Sequence, residues 1–459
     1  MKKVLALLLA LSLILGLAAC ASKTEETSAD KPAATTPSET PANSSGEEAP
    51  AESSGDTSFE GKTLTFMMSM SESNATDGYY AQIAAFEEKY GCTVEVEVIP
   101  GGDEGENIKL VRLATGGLAD IYMSSIGSKF DEFDPINNCL DISGEPWVGN
   151  IADGYRTVGT YDGGVYITPA DTSNAAGVLY NTKVFAKQGL EIPKTWDEFL
   201  DCCETLKNAG IIPVAAPYAK TTNTQIPYLM NYYYVQLDDP DFAEKYTNRE
   251  IELNESEAFV RGLQKLYDVA NLGYLNEDFL STGMDECAVM LGEGTAAMMI
   301  IRTNILTTME NNCPEKIADI DFFPLPDVNP DQRGICYWLP MGYVINKDAK
   351  EPELAKKWCE FVVSQEGIDA YCSAVTPAGT FMVNGVQMPE DAYPALITAQ
   401  EWLDQASCPV MEYFCRIKGS NQATITSMVS SAEITPEDAV EQIMEDNVVD
   451  AQQKGVPGW

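Results

Sequence analysis

KTLTFMMS, at Lys62–Ser69, opens the stretch of sequence that decides the fold. It is a short apolar strand pattern, and Asp77–Gly91 (DGYYAQIAAFEEKYG) follows with apolar residues at helical spacing before a terminal glycine. Cys92–Ile99 (CTVEVEVI) alternates apolar and acidic residues like a strand, Asn107–Thr115 is helical, and Ala119–Met123 is a buried strand. This β-α-β-α-β order predicts parallel strands with right-handed crossovers and a ligand site at their carboxyl ends.

The composition limits the classes of protein to which the chain can belong. Its 459 residues predict two or three folded units, and 45% hydrophobic with 22% charged residues is typical of a soluble globular protein. The 70 acidic against 29 basic residues give a formal charge of -41, which argues against binding to nucleic acid or to anionic lipid headgroups. Histidine is absent, which excludes Ser-His-Asp and Cys-His catalysis and histidine-bound metals, and we expect no cofactor and no metal site.

Residues 1–58 are predicted to target and tether the protein rather than to fold. Residues 1–20 contain the apolar run Val4–Leu17, which fits a secretory signal peptide. Leu17–Cys20 (LAAC) resembles the bacterial lipoprotein processing box, in which Cys20 becomes the lipidated N-terminus; the alternative is an ordinary cleavage site with an incidental cysteine. Residues 21–58 are rich in Ser, Thr, Ala, Pro and Glu, and this composition predicts a disordered acidic linker.

The cysteine pattern argues against a metal or redox motif. The chain has 12 cysteines, of which 11 follow Cys20, so at least one thiol is expected to stay unpaired within the chain. No C-x-x-C pair occurs, and we expect most of these cysteines to be small buried hydrophobic residues.

Several short motifs occur in an order and spacing that resemble those of the family 1 extracellular solute-binding proteins of ABC sugar importers. They extend over nearly the whole folded part and are GLADI at 117–121, YDGGVYITP at 161–169, LYNT at 179–182, PKTWDEFL at 193–200, GTAAM at 294–298, PLP at 324–326, LAKKWCEF at 354–361 and ITPEDAV at 434–440. The resemblance implies an α/β fold of two lobes that form a periplasmic-binding-protein-like clamp. Each lobe would be a mainly parallel sheet flanked by helices, and a multi-segment hinge would join them.

The resemblance also implies a division of the chain and a function. The N-terminal lobe would comprise residues 59–170 and 342–394, and the C-terminal lobe residues 171–341 and 395–459. A carbohydrate, neutral or acidic and either a mono- or an oligosaccharide, would be captured between the lobes by hinge closure and delivered to an ABC permease without catalysis. We expect a monomer, lipid-anchored to the extracellular face of a bacterial cytoplasmic membrane.

Two sets of polar residues lie beside strands of the predicted first sheet. Ser69, Ser71 and Glu72 end or follow the first strand, where their side chains are placed to hydrogen-bond a hydroxylated ligand. A solvated loop is the alternative. The carboxylate of Asp120 could accept two sugar hydroxyls, or it could instead cap the local turn.

The two predicted crossovers between the lobes carry four more candidates. Asp171 and Asn174 lie at the first crossover, where a plain hinge turn is the alternative. Trp338 and Met341 lie at the second. A flat indole ring packs well against the apolar face of a pyranose, so we expect Trp338 to stack on the sugar.

The C-terminal lobe supplies the remaining candidates. Asn223, Gln225 and Tyr228 open a predicted helix, and core packing of the tyrosine is the alternative. Tyr413 lies near the place where relatives carry cleft aromatics. Many relatives also have a Gly-x-Trp turn whose tryptophan stacks on sugar, where this chain has Arg302 instead. That arginine would clamp a carboxylate or phosphate of an acidic ligand, or pair with a surface carboxylate.

Three other functions compete with carbohydrate import. A secreted glycosidase would use two carboxylates, but no motif fixes their separation. A binding protein for a non-sugar solute such as a polyamine would share the fold. An adhesin or surface scaffold is disfavoured because the chain contains no internal repeat.

Overall fold

The computed structural model describes residues 58–70, 75–389 and 392–459, so Cys20, the signal peptide, almost all of the linker, and Ser71 with Glu72 lie outside the described residues. The strands are β1 (Thr63–Ser69), β2 (Thr93–Ile99), β3 (Ile121–Ser124), β4 (Thr160–Tyr161), β5 (Gly164–Val165), β6 (Thr168–Pro169), β7 (Thr172–Asn181), β8 (Ile212–Val214), β9 (Ala296–Arg302), β10 (Ile320–Phe323), β11 (Ile335–Trp338), β12 (Gly342–Ile345), β13 (Thr380–Phe381) and β14 (Ser407–Pro409). The α-helices are α1 (Ala75–Tyr90), α2 (Gly102–Thr115), α3 (Pro135–Asn138), α4 (Asp153–Val158), α5 (Thr182–Gln188), α6 (Trp196–Asn208), α7 (Ile226–Leu229), α8 (Tyr232–Asp238), α9 (Phe242–Thr247), α10 (Glu257–Asn271), α11 (Met284–Glu293), α12 (Ile305–Asn312), α13 (Pro352–Val362), α14 (Gln365–Cys372), α15 (Pro394–Gln405), α16 (Gln422–Ser430) and α17 (Pro436–Lys454).

The first sheet contains the three strands that the sequence predicts to be parallel. Its order is β2-β1-β3-β12-β6, and β1 is parallel to both β2 and β3, with α1 and α2 as the intervening helices. β12 is antiparallel to both of its neighbours, β3 and β6. The predicted β-α-β-α-β order is confirmed, and the carboxyl ends of β1, β2 and β3 lie at one edge of this sheet.

A buried cluster of aromatic rings attaches helices to the first sheet. The ring of Trp358 in α13 lies 5.9 Å from that of Phe66 in β1, 5.1 Å from that of Phe86 in α1 and 5.5 Å from that of Tyr343 in β12. All four side chains are buried. Tilted and edge-to-face pairs of this kind add about 0.5–1.5 kcal/mol each to the stabilisation from burial.

The second sheet is not mainly parallel, contrary to the prediction. Its order is β14-β11-β7-β9-β8, with β10 also paired to β7, and the long strand β7 is antiparallel to β9, β10 and β11. Parallel pairing is found between β8 and β9 and between β11 and β14. Several helices separate β7 from β9 along the chain. A connection of that length allows the second strand to run in either direction relative to the first. The alternation of strands and helices therefore did not determine whether the pair is parallel or antiparallel.

The chain passes between the two sheets three times, and two of these passages are short connections. β6 of the first sheet is followed by β7 of the second, and β11 of the second is followed by β12 of the first. The predicted lobe boundaries at 170/171 and 341/342 fall in these connections. That the two lobes move relative to each other about these boundaries stays a prediction. β13 belongs to the segment predicted for the N-terminal lobe, but it pairs with β7.

A buried charged cluster lies in the core beneath the second sheet. Asp327 is 3% exposed, and its carboxylate lies 2.9 Å from the ammonium of Lys265 and 2.8 Å from Nη2 of Arg261. The Lys265 ammonium also donates to Oδ1 of Asn231 at 2.6 Å. Burial lowers the pKa of Lys265 to about 8, although Asp327 opposes this shift.

Two further predictions about local structure are confirmed, namely the capping box that begins α6 and the unpaired cysteines. Oγ1 of Thr195 accepts from the Glu198 backbone, and the Glu198 carboxylate accepts from the Thr195 backbone, as the predicted capping box requires. The 11 cysteines in the described residues are free, with Sγ of Cys336 and Sγ of Cys408 3.6 Å apart. Among the described residues, none of the helices combines the length and apolar character needed to cross a membrane.

Candidate ligand cleft

A cleft of about 890 Å³ lies between the loop that follows β3 and segments near the C-terminus. Residues within 125–132 line one side, at the carboxyl end of β3. The other side is lined by residues 247–248, by residues within 412–418 and by residues 454–457 at the end of α17. Its volume is within the range of about 300–1,000 Å³ found for small-molecule sites.

A turn at Gly127 brings the two sides of the cleft into contact. Gly127 has a φ of 81°, and a Cβ at this position would lie 2.9 Å from Cδ1 of Tyr413 and 3.1 Å from its Cα. Only glycine combines this left-handed conformation with so close an approach. The carbonyl oxygen of Gly127 also accepts a hydrogen bond from the hydroxyl of Tyr161 at 3.4 Å.

An ion pair spans the cleft near this turn. Nε of Arg416 lies 2.6 Å from Oδ2 of Asp131, with the Arg416 side chain 62% exposed. Burial raises the pKa of Asp131, and Arg416 and a hydrogen bond from Tyr161 oppose this shift. An ion pair this exposed contributes only about 0–1 kcal/mol, so the contact is readily reversible.

Ser69 belongs to a buried polar network beside the first wall of the cleft. Its hydroxyl accepts from the ammonium of Lys109 at 3.4 Å, and that ammonium lies 2.9 Å from Oε2 of Glu106. The other Glu106 oxygen accepts from the backbone and the hydroxyl of Ser125, which lines the cleft. Burial lowers the pKa of Lys109. The solvated-loop alternative does not apply to Ser69, and its contact with a ligand stays a prediction.

The structure brings four predicted residues together beside the second wall, and of these Tyr413 lines the cleft whereas Arg302, Trp338 and Asn174 do not. Tyr413 lines the cleft, and its hydroxyl accepts from the backbone N–H of Leu339 at 2.8 Å and donates to its carbonyl at 3.2 Å. The guanidinium of Arg302 lies 5.3 Å from the ring centroid of Trp338, and Arg302 is close enough to Tyr413 to interact electrostatically with it. Asn174 is paired with Trp338 between β7 and β11.

Asp120 lies elsewhere, at the amino end of β3. Oδ2 of its carboxylate accepts from the backbone N–H of Thr65 at 3.0 Å and from the Thr65 hydroxyl at 2.7 Å. Oδ1 accepts from the backbone N–H of Lys350 at 2.6 Å. These bonds join β1, β3 and the loop after β12, and they favour a structural carboxylate over one that binds sugar.

Asp171 and Met341 lie in the two short connections between the sheets. Oδ2 of Asp171 accepts from the hydroxyl of Tyr79 at 2.8 Å, and burial raises the Asp171 pKa. The carbonyl of Met341 accepts from the backbone N–H of Ala170 at 3.0 Å. These contacts favour the hinge-turn alternative for Asp171 and leave the predicted ligand role of Met341 without support.

Asn223, Gln225 and Tyr228 are buried in the core of the second sheet. Nδ2 of Asn223 donates to the carbonyl of Pro217 at 2.9 Å, and the hydroxyl of Tyr228 donates to Oε1 of Gln422 at 2.5 Å. None of the three lines the large cleft. The position of Tyr228 favours the core-packing alternative, and the ligand role of Asn223 and Gln225 stays a prediction.

The cations of the cleft were missed by the sequence reasoning. Four basic residues line it, together with three acidic ones: Lys129, Arg416, Lys418, Lys454, Asp131, Glu132 and Glu412. In a chain with 29 basic and 70 acidic residues this ratio is a local excess of positive charge. The signal available in the sequence was the spacing of Arg416 and Lys418 beside the predicted Tyr413.

The chemistry available at the cleft is hydrogen bonding, ring stacking and charge pairing. Within the described ranges, no group of three or more Cys, Asp or Glu residues is placed to hold a metal ion.

The chain belongs to the bacterial extracellular solute-binding protein family, whose model matches residues 72–368. It is similar to the multiple sugar-binding protein of Streptococcus mutans, with 27% identity over 131 residues, 28% of this chain and 30% of the relative. It is also similar to the melibiose/raffinose/stachyose-binding protein MelE of Bacillus subtilis, with 26% identity over 171 residues, 36% of this chain and 38% of the relative. These alignments therefore span well under half of either relative.

The fold is similar to that of the putative binding protein MsmE of Bacillus subtilis, solved in an open conformation. The TM-score is 0.72 at 16% identity, covering 86% of this chain and 98% of that chain. The predicted two-lobed α/β fold is thereby confirmed.

Proposed function

We propose that the protein is the carbohydrate receptor of a bacterial ABC importer, which binds its ligand in the cleft and releases it unchanged to a permease. The observation that carries the proposal is the cleft of about 890 Å³ between the carboxyl edge of the first sheet and the C-terminal segments. Family membership supports the receptor role, and the names of the two curated relatives support a sugar as the ligand.

The proposed mechanism is closure of two lobes about the connections between the sheets. These connections are short and lie beside each other at Ala170 and Met341, as a hinge requires. A ligand that contacts both walls stabilises the closed form over the open one, which shifts the population without changing secondary structure. The exposed pair between Arg416 and Asp131 is weak enough to form and break during such a motion.

Binding and closure are tested on the same samples. Titration calorimetry against galactosides, glucosides and their uronic acids is expected to identify a ligand, and small-angle scattering should then show a smaller radius of gyration when the protein is saturated. An unchanged radius at saturation would contradict the clamp mechanism. Chromatography of the incubated sugar serves as the control, since cleavage would favour the glycosidase.

The proposed anchor is lipidation of Cys20, for which the LAAC motif at 17–20 is the support. Cys20→Ala is expected to move the protein from the membrane fraction to the medium, because a signal peptide without the lipidation site gives no lasting attachment. Metabolic labelling with a fatty acid should label the wild type alone. Membrane association that persists in Cys20→Ala would refute the anchor.

A further inference from the structure

Two buried cysteines lie opposite each other on neighbouring strands of the second sheet. Cys336 of β11 is in direct register with Cys408 of β14, and their sulfur atoms lie 3.6 Å apart. Cys336 is fully buried and Cys408 is 6% exposed. Neighbouring strands place paired Cα atoms about 4.8 Å apart, which is within the range of about 4.4–6.8 Å that a disulfide requires. Rotation of the two side chains is therefore enough to bring the sulfur atoms into bonding distance.

The sulfur atoms of some other cysteines contact oxygen atoms instead. Sγ of Cys313 donates to the carbonyl of Ala288 at 3.7 Å, and Sγ of Cys139 lies 3.3 Å from the hydroxyl of Tyr122. Such thiols behave as small buried side chains with a weak hydrogen bond. The pair between β11 and β14 differs from these, because each sulfur has a second sulfur as its neighbour.

The location of the protein and the position of β14 both allow this pair to be oxidised. The family to which the chain belongs is extracellular, and disulfides form and persist outside the reducing cytoplasm. β14 has three residues and stands at the end of the strand order, next to β11. A short strand at the edge of a sheet opens locally at a lower free-energy cost than the centre of the sheet, so a small oxidant can reach Cys408.

We propose that Cys336 and Cys408 form a disulfide when the protein meets a low-molecular-weight disulfide outside the cell. The thiolate of Cys408 attacks one sulfur of that compound, which forms a mixed disulfide and releases one small thiol. Sγ of Cys336 then attacks Sγ of Cys408, which forms the protein disulfide and releases the second small thiol. The two protein thiols lose two electrons to the small disulfide, and their two protons end on the released thiols.

The disulfide would fasten the second wall of the cleft to a strand that leads into a short connection between the sheets. β11 continues into Leu339, and β14 continues into Tyr413, whose hydroxyl already bonds to the backbone of Leu339. A covalent bond between the two strands keeps these segments together when the hydrogen bonds open. Because the bonded residues are 72 positions apart, it also reduces the entropy of the unfolded chain and stabilises the fold.

Peptide mapping tests the proposal. The reduced native protein is incubated with oxidised glutathione, its remaining thiols are blocked with iodoacetamide as it is unfolded, and the chain is cut with trypsin and Glu-C protease. This cleavage gives Gly334–Lys347, whose single cysteine is Cys336, and Trp402–Glu412, whose single cysteine is Cys408. We expect a linked species with the mass of both peptides less two hydrogen atoms, which separates on reduction. The oxidised protein should melt about 3–8 °C above the reduced protein.

Cys408→Ala and Cys313→Ala form a matched pair of variants. Each removes one buried thiol, and Cys313 is 4% exposed, close to the value for Cys408. We expect Cys408→Ala to lose both the linked peptide and the rise in melting temperature. Cys313→Ala is expected to keep both.

The outcomes that would overturn the proposal are specific. Blocked thiols on both peptides after the incubation would refute it, as would a link from either cysteine to a different one. A linked peptide without any rise in melting temperature would refute the stabilising role. The wild-type map is decisive even where a variant does not fold. None of these measurements involves a sugar, so they are independent of the test of the proposed function.

Discussion

Replacing Asp327 with asparagine is expected to lower the free energy of unfolding by about 3–5 kcal/mol, because it leaves two cations beside each other with no buried counter-charge. The ammonium of Lys265 and the guanidinium of Arg261 both lie within 2.9 Å of the carboxylate. Lys265 is 2% exposed, so water cannot replace the lost partner. Thermal and urea denaturation of the variant beside the wild type measure the loss.

Glu257→Gln is the control for this prediction. Glu257 pairs with the same Arg261 at 3.7 Å, but its side chain is 95% exposed, and removing its charge should leave the unfolding curve nearly unchanged. The double variant Lys265→Met with Asp327→Asn is expected to recover part of the loss, since it removes one of the stranded cations. Equal stability of Asp327→Asn and Glu257→Gln would show that the buried cluster contributes no more than a surface pair.

The fold could be predicted where the sequence pattern is local. The strand of Lys62–Ser69 and the next two strands, β2 and β3, are separated from one another by a single short helix each time. This arrangement determines that the three strands are parallel. The capping box at Thr195 involves residues three positions apart. The direction of β7 relative to β9 depends on how α5 to α11 pack, which no local pattern reveals.

The residues of the candidate site could likewise be predicted only in part. Trp338, Arg302 and Tyr413 were chosen one at a time from residue type and position, and the neighbouring strands β7, β9, β11 and β14 bring them together. Asp120 stands at the start of β3, away from the strand's carboxyl end near Ser125, and its bonds to Thr65 and Lys350 favour a structural role over sugar binding. Lys454 could not be predicted at all, because it reaches the cleft only through the packing of α17.

Replacing Trp338 with alanine is expected to weaken carbohydrate binding by about 1–3 kcal/mol, roughly 5- to 150-fold, without unfolding the protein. The indole ring supports the guanidinium of Arg302 at 5.3 Å and is itself only partly buried. Its loss removes a face on which a sugar ring can stack and the surface that holds Arg302 in place. Affinity for sugars should therefore decrease.

Trp402→Ala is the control, because the ring of Trp402 also lies under an arginine, Arg333, and packs on the same core. Neither tryptophan lines the cleft, but Trp338 directly precedes Leu339, whose backbone N–H donates to the hydroxyl of the cleft residue Tyr413. Trp402→Ala is expected to keep the affinity of the wild type. The melting temperature of the ligand-free protein distinguishes the two roles of Trp338. A core tryptophan would cost about 3–5 kcal/mol of stability on truncation, and the melting temperature would then decrease while the affinity of the remaining folded protein was unchanged. That combination of results would contradict the binding role and make Trp338 a structural residue.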